Sequence, residues 1–169
     1  MNLSRLRLAL PVAFIFATVD CTTKELAINL LPPAYVPHRV LGDFLRLTLA
    51  FNRQAAMSVP LGPHPRPLLV IASFLALIAL LRLLWAARPT AIGQRLALGM
   101  ILGGTVGNLA SRIQSSRGVV DFIDVGVGMH RFYIFNVADI GLCCGAALLA
   151  LTFWRDRQPA HLTSREVAG

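Results

Sequence analysis

The stretch at residues 67–87, PLLVIASFLALIALLRLLWAA, contains one charged residue, Arg82. A helix needs about 20 mostly apolar residues to cross the hydrocarbon core of a bilayer, so this stretch predicts a membrane span. The whole chain agrees with it. Of the 169 residues, 56% are hydrophobic and 14% are charged, whereas soluble domains carry about 25% charged residues. These values place the chain among integral membrane proteins and exclude an ordinary soluble domain.

Three further apolar segments predict spanning helices, at residues 8–23, 96–111 and 132–154. The first follows Arg5 and Arg7, as in a secretory signal peptide. Because cleavage needs small residues where Asp20 stands, we interpret it as a retained helix. Four passes put both termini on one side. The 16 Lys and Arg residues divide equally between the two sides, and only the short loop and tail favour cytoplasmic termini.

The segment between the first two helices has a different pattern. Pro32, Pro33 and Pro37 oppose a helix, and residues 45–52 then alternate between apolar and mostly polar side chains, which predicts a strand. We therefore predict one all-α membrane domain over residues 1–169. It has four transmembrane helices, a small β segment at about residues 38–60 between helices 1 and 2, and a polar tail at 155–169.

The third helix carries polar residues and glycines at regular spacing. Gly104, Asn108 and Arg112 are four positions apart and line one face. Gly103 and Gly107 form a GxxxG pair, which we interpret as close helix packing. A charged residue at the bilayer centre costs about 2.5–3.5 kcal/mol, so polar residues in such helices need a reason.

The fourth helix begins with two polar residues on one face, Asn136 and Asp139. Two interpretations stay open for each of two side chains, Asp139 and Asn108. Asp139 is either a reactive acid or the ion-pair partner of Arg112, and Asn108 either belongs to a site or forms only an interhelical hydrogen bond.

The remaining acids differ in their surroundings. Asp121 lies in a loop between Val120 and Phe122, and its apolar neighbours argue against a solvated charge. We interpret Asp124 as an ordinary surface acid. Asp20 and Lys24 are four positions apart, which is typical of an ion pair on one helix face.

One group of polar side chains can meet at a single membrane face. It comprises Asp20, Asn52, Asn108, Arg112, Asp121, Asn136 and Asp139. Close carboxylates cannot both ionise easily, so two of them can share a proton. One then acts as a base on water while the other polarises a carbonyl, which predicts chemistry like that of the aspartic proteases.

Other classes of site fit less well. No Ser–His or Cys–His pairing suggests itself, and His130 alone makes a poor zinc set. Three cysteines, two of them adjacent, do not describe a disulfide framework, and we expect them to be small buried side chains. The net charge is +8. Because the basic residues flank apolar segments, we expect contact with anionic membrane lipid and no nucleic acid partner.

At these residues the chain resembles the bacterial lipoprotein signal peptidases, or signal peptidase II. GGTVGNLASR at 103–112, VVDFI at 119–123 and FNVAD at 135–139 resemble the family's GNxxDR, VVDF and FNxAD motifs. DCTTK at 20–24 and NRQAAMS at 52–58 resemble its DQxTK and NxGAAF stretches. The resemblance covers nearly the whole chain, in order and at suitable distances.

The resemblance implies an enzyme that cleaves prolipoproteins just before a diacylglyceryl-modified cysteine. It implies a multi-pass protein of the bacterial cytoplasmic (inner) membrane, with both termini cytoplasmic, a periplasmic β-cradle, no metal or other cofactor, and inhibition by cyclic peptides such as globomycin. It makes Asp121 and Asp139 the catalytic pair. The supporting or substrate-binding residues would be Asp20, Asn52, Asn108, Arg112 and Asn136. We expect a monomer.

Four positions depart from the family's motifs: Cys21, Gln54, Met57 and Ser111, the last in place of an acid. None is one of the two catalytic positions, so we predict a divergent, active member. A catalytically silent paralogue that binds lipidated peptides is the alternative. A small transporter or proton relay fits less well, because the polar residues gather at one surface.

Overall fold

A computed structural model describes residues 6–54, 65–87 and 91–157. Over these residues the chain forms four long helices, α1 (Leu6–Leu30), α2 (Pro65–Ala86), α3 (Ile92–Gln114) and α4 (Val137–Arg157). All four are long and apolar enough to cross a membrane. The prediction of four spanning helices is confirmed. The end of the predicted β segment, at residues 55–60, and most of the polar tail, at 158–169, lie outside the described residues.

The end of α1 and the start of α4 differ most from the predicted helix ends. α1 continues to Leu30 because Lys24 forms an ion pair with Asp20 inside the helix, so these charges do not end it. α4 begins at Val137 and not at Phe132. The residues before it are extended, and Phe135 forms backbone hydrogen bonds with Ile123 instead.

Helix α3 is the centre of the bundle and contacts the other three helices. Its glycines allow close approach on two sides. A Cβ at Gly104 would overlap the carbonyl oxygen of Ala138 in α4. In the GxxxG pair, a Cβ at Gly103 would lie 2.6 Å from the carbonyl oxygen of Ala13 in α1, and one at Gly107 would overlap the side chain of Asp20 in α1. The interpretation of GxxxG as a packing motif is confirmed.

The four helices carry one small antiparallel sheet at one end. Its strands are β1 (Pro37–Leu41), β2 (Leu45–Asn52), β3 (Val119–Val127) and β4 (His130–Arg131), in the order β1-β2-β3-β4. The predicted strand is β2, but β3 and β4 form where we predicted only a loop. Residues 119–122 of β3 are all buried, and a strand buried on both faces shows no alternation by which to recognise it.

The same sheet corrects the interpretation of Asp124. It is 5% exposed, and its carboxylate accepts hydrogen bonds from Arg131 Nε at 2.6 Å and Thr48 Oγ1 at 3.0 Å. The prediction of a surface acid was wrong, because β3 places this side chain against β2. Asp124 therefore joins three strands of the sheet.

The prediction for the cysteines was half right. Cys21, Cys143 and Cys144 are free thiols, as expected, but all three are exposed on the isolated chain and not buried. Apolar neighbours in a spanning helix are as compatible with contact to lipid as with a protein core, so they did not indicate burial.

Candidate active site

The start of α4 holds Asp139 through a reciprocal cap. Asn136 precedes the helix, and its Oδ1 accepts a hydrogen bond from Asp139 N at 3.1 Å. In return, Asp139 Oδ2 accepts one from Asn136 N at 3.1 Å. This is the geometry of a capping box, with an aspartate in place of the usual glutamate. The orientation of Asp139 is therefore fixed by the backbone that begins its own helix.

Asn108 connects this cap to the centre of the bundle. Its Nδ2 donates to Asp139 Oδ1 at 3.0 Å. Its Oδ1 accepts from Lys24 Nζ at 2.8 Å and from Asn136 Nδ2 at 3.2 Å. The side chain thus forms the predicted interhelical hydrogen bonds, and one of them ends on an acid of the candidate site.

Asp20 and Lys24 form a buried ion pair behind these groups. Lys24 Nζ lies 2.7 Å from Asp20 Oδ2, and both side chains are buried. Asp20 Oδ1 also accepts a hydrogen bond from Ala138 N at 2.8 Å, so it caps a second N–H group of α4. The predicted ion pair is confirmed. Our predicted site omitted Lys24, although its spacing from Asp20 was visible in the sequence.

Asp121 approaches the same cluster from β3. It is 4% exposed, and its Oδ1 accepts a hydrogen bond of 2.6 Å from Asn136 Nδ2. The side chain of Asn52 forms a further hydrogen bond to it. Burial, and then the negative charge of Asp139, raise the pKa of Asp121 from the ordinary 3.8 to about 7; the two amide contacts oppose this rise.

Arg112 lies at the edge of the cluster. Its Nη1 donates to the carbonyl oxygen of Asn108 at 3.2 Å, and its buried Nε has no hydrogen-bond partner among the described residues. Within the same residues it forms no ion pair with Asp139, since the three ion pairs found there join Lys24, Arg46 and Arg131 to other acids. The interpretation of Asp139 as the ion-pair partner of Arg112 was wrong.

Two cavities meet at Asp121 and Asn52. One, of about 450 Å³, extends between α2, α3 and α4 and reaches Asp139, Asn108 and Arg112; we call it the helix groove. The other, of about 700 Å³, lies beside β2 and the extended residues before α4; we call it the sheet cavity.

The structure brings together all seven of the predicted site residues. Five line the helix groove: Asn52, Asn108, Arg112, Asp121 and Asp139. Asp20 and Asn136 are fully buried and reach the others only through hydrogen bonds. In the described part of the chain, no group of three or more His, Cys, Asp or Glu residues is placed to hold a metal ion.

Comparisons with known proteins agree with this architecture. The sequence model of the family described as signal peptidase (SPase) II matches residues 12–155. The lipoprotein signal peptidase of Syntrophotalea carbinolica is 32% identical over 157 residues, which cover 92% of this chain and 96% of that protein. The one from Mycobacterium tuberculosis is 38% identical over 153 residues, covering 87% and 71% respectively.

Solved structures have the same fold. A bacterial membrane enzyme determined at 2.3 Å resolution superposes with a TM-score of 0.80 at 25% identity, covering 95% of this chain and 94% of that one. A second bacterial membrane enzyme, determined at 1.9 Å, gives a TM-score of 0.76 at 27% identity, covering 88% and 93%. By fold, by sequence and by the length over which both agree, this chain belongs to the signal peptidase II family of peptidases.

Proposed function

We propose that this protein is an aspartic endopeptidase that removes the signal peptide from prolipoproteins by cutting before a diacylglyceryl-modified cysteine. One observation carries the proposal. Two acids from different elements, Asp121 and Asp139, line one cavity and are both hydrogen bonded to one residue, Asn136. The side-chain amide of Asn136 donates to the Asp121 carboxylate, and its backbone N–H donates to the Asp139 carboxylate. The family to which the chain belongs supplies the substrate class.

The two acids have unequal surroundings, which suggests a division of labour. Asp139 accepts two N–H hydrogen bonds and lies in the first turn of α4, where the helix dipole favours a negative charge. Asp121 has a pKa of about 7 because it is buried near that charge. In this proposal Asp139 is the base and Asp121 holds the proton.

The reaction then follows as a general acid–base hydrolysis. Asp139 takes a proton from water as the water oxygen bonds to the scissile carbonyl carbon, and Asp121 gives its proton to the carbonyl oxygen. The tetrahedral intermediate collapses when the proton on Asp139 passes to the amide nitrogen. The C–N bond breaks, and a hydroxyl proton of the intermediate returns to Asp121, which restores the initial state.

The cavities suit a substrate that is part lipid and part peptide. The helix groove has apolar walls from α2 and α4, including Leu69, Ala76 and Leu142, and these can accommodate acyl chains. The sheet cavity runs beside β2 and can accommodate extended peptide. In this proposal Asn52 and Arg112 contact the substrate, whereas Asp20 and Asn136 act from behind by orienting the acids.

Two of the departures from the family's motifs, Ser111 and Gln54, form no hydrogen bond with either acid. The Ser111 hydroxyl donates to the carbonyl oxygen of Gly107 at 3.2 Å, within its own helix. Gln54 contacts Asn52 through its backbone N–H, at 2.9 Å, so this contact does not depend on its side chain. Met57 lies outside the described residues. Neither contact favours a silent paralogue over an active enzyme.

The setting of the enzyme is part of the proposal. We infer a monomer of one domain in the bacterial inner membrane, with both termini in the cytoplasm, so that the sheet and the acids face the side to which prolipoproteins are exported. Globomycin would then compete with the substrate for the helix groove.

A gel-shift assay with a lipidated prolipoprotein tests the proposal. We expect Asp121→Asn and Asp139→Asn each to reduce processing by roughly 10⁴-fold or more, with unchanged yield from membranes. Asp156→Asn is the matched control, because this acid is exposed near the end of α4 and its side chain is hydrogen bonded to Gln94 alone among the described residues. Globomycin should block the wild-type protein.

Two results would contradict the proposal. Full processing by both aspartate variants would remove the proposed mechanism. Tight binding of the lipidated substrate by the wild-type protein without any cleavage would instead support the silent paralogue.

A further inference from the structure

A third cavity, of about 320 Å³, adjoins the helix groove between the start of α2 and the end of α3. Three arginines line it, Arg53, Arg66 and Arg112, together with Ser115 and Ser116. No aspartate or glutamate is among the described residues around it. We call it the arginine pocket.

No carboxylate of the described chain forms an ion pair with the arginines of this pocket. Asp121 and Asp139 attract Arg112 from the adjoining helix groove, but neither lines the pocket. Arg66 donates from Nε and Nη2 to the carbonyl oxygens of Arg112 and Ile113, at 2.7 and 2.9 Å. These bonds fix its guanidinium at the end of α3, and its Nη1 has no hydrogen bond to the described residues.

The other two arginines also keep donors available. Nε of Arg112 is buried and has no hydrogen-bond partner among the described residues. Arg53 is exposed. The sequence from 55 to 64, AAMSVPLGPH, contains no acid that could pair with any of the three. Like charges held this close repel one another, and an anion between them would relieve the repulsion.

The position of the pocket suggests which anion it binds. Its walls are the first residues of α2 and the last of α3, and both helices are membrane spans by length and composition. The ends of spanning helices lie at the level of the lipid headgroups. The positive end of the α2 dipole lies beside the pocket as well.

We propose that the arginine pocket binds a phosphate group, supplied by the headgroup of an anionic phospholipid. Guanidinium groups match phosphate oxygens with paired hydrogen bonds, and the two serine hydroxyls add further donors. Leu69, which lines both this pocket and the helix groove, offers an apolar path for the acyl chains. The inference does not require that the protein cleaves prolipoproteins, but it shares Arg112 with the substrate contacts of the proposed function. The variants that test it are therefore at Arg53 and Arg66.

Native mass spectrometry of the full-length protein in detergent tests the proposal. The probes are dioctanoyl phosphatidylglycerol, dioctanoylglycerol, which lacks the phosphate, and sodium phosphate as competitor. We expect the wild-type protein to retain phosphatidylglycerol in preference to dioctanoylglycerol. An arginine charge near a lipid phosphate is worth about a fivefold change in affinity, so we expect Arg66→Gln to weaken retention about fivefold and Arg53→Glu to weaken it more.

Two features of the variants make the test decisive. Arg66→Gln also removes hydrogen bonds to α3. Arg53 is exposed and its side chain forms no hydrogen bond or ion pair with the described residues, so we expect Arg53→Glu to keep the fold. Arg39→Gln is the control, because Arg39 is exposed on β1 and lies outside the pocket. It should retain as much phosphatidylglycerol as the wild-type protein.

The outcomes separate the two sources of phosphate. Loss of retention in the pocket variants, with no displacement by sodium phosphate, supports a lipid headgroup. Loss in the same variants with full displacement supports the phosphate site but with a soluble ligand. Equal retention by the wild-type protein, Arg53→Glu and Arg66→Gln, or equal retention of dioctanoylglycerol, would overturn the proposal.

Discussion

Replacement of Asn136 by alanine should separate the positioning of the two acids from their chemistry. This side chain is fully buried and touches both of them, donating to Asp121 Oδ1 at 2.6 Å and accepting from Asp139 N at 3.1 Å. Asn136→Ala keeps both carboxylates but removes the bond that holds the Asp121 carboxylate and the cap on the backbone N–H of Asp139. The two hydrogen bonds to the Asp139 carboxylate, from Asn108 and from the backbone N–H at position 136, remain.

The contacts set the size of the expected effect. In the proposed mechanism Asp121 is protonated, and a hydrogen bond between neutral groups contributes about 0.5–1.5 kcal/mol. A helix N-cap contributes about 1 kcal/mol, so the two amount to about 1.5–2.5 kcal/mol. At about 1.4 kcal/mol for each factor of ten, kcat/KM should fall by about 10- to 60-fold, which is far less than the loss expected for either aspartate variant.

A second readout distinguishes positioning from simple loss of stability. The amide of Asn136 opposes the rise in the pKa of Asp121, so its removal should move that pKa further above 7. If Asp121 must be protonated, the alkaline limb of the pH–activity profile then moves to higher pH. The measurement is the rate of prolipoprotein cleavage across pH 5–9. Asn29→Ala is the control, since Asn29 is exposed on α1 and, within the described part of the chain, its side chain is hydrogen bonded to Glu25 alone.

Two results would refute this reasoning. A loss of activity below about fivefold would show that Asn136 does not hold the acids. A large loss with an unshifted alkaline limb, in protein that unfolds at the wild-type temperature, would show that the titrating acid is not Asp121.

Three further predictions concern stability. Lys24→Met should lower the free energy of unfolding by about 3–5 kcal/mol, because it leaves the buried carboxylate of Asp20 unpaired. In detergent unfolding curves, adding Asp20→Asn should recover part of this loss, and a double variant with no recovery would contradict the prediction. Gly107→Ala should lower stability by about 1–3 kcal/mol, since its Cβ would overlap the Asp20 side chain; Val106→Ala, on the exposed face, should have little effect in the same assay. Because the pKa of Asp121 is about 7 when folded and 3.8 ordinarily, its contribution to stability is fully present below pH 4 and is lost as the pH rises through 7; Asp121→Asn should flatten this slope in unfolding measured from pH 4 to 8.

Much of the fold could be predicted from the sequence because the bilayer imposes a simple rule. Long apolar runs must be helices in lipid, so all four helices were found. Strand β3 was missed because the bilayer rule does not apply to it and its buried residues do not alternate. Asp124 was misjudged for the same reason, since only pairing with β2 reveals its partners.

The candidate site was predicted as a set of residues but not as a network. Spacing within a helix relates Asp20 to Lys24 and Asn136 to Asp139. It cannot relate Asn108 to Lys24, which lie 84 positions apart along the chain. Nor could it predict that Asn136 and Asp20 are fully buried and act from behind the groove. Which residues line the groove and which lie buried behind it depends on how closely α3 packs against its neighbours. The glycines of α3 permit close packing, but they do not specify its geometry.

The hydrogen bond from Ala138 to Asp20 joins residues 118 positions apart, and this separation has a consequence for synthesis of the protein. The ribosome makes α1 long before α4, so Asp20 enters the membrane with Lys24 as its partner while its backbone ligand does not yet exist. The acids that we propose as catalytic also come late in the chain, on β3 and α4. Under the proposed mechanism a nascent chain cannot hydrolyse its substrate until the last helix inserts, and the same insertion completes the contacts of the first helix.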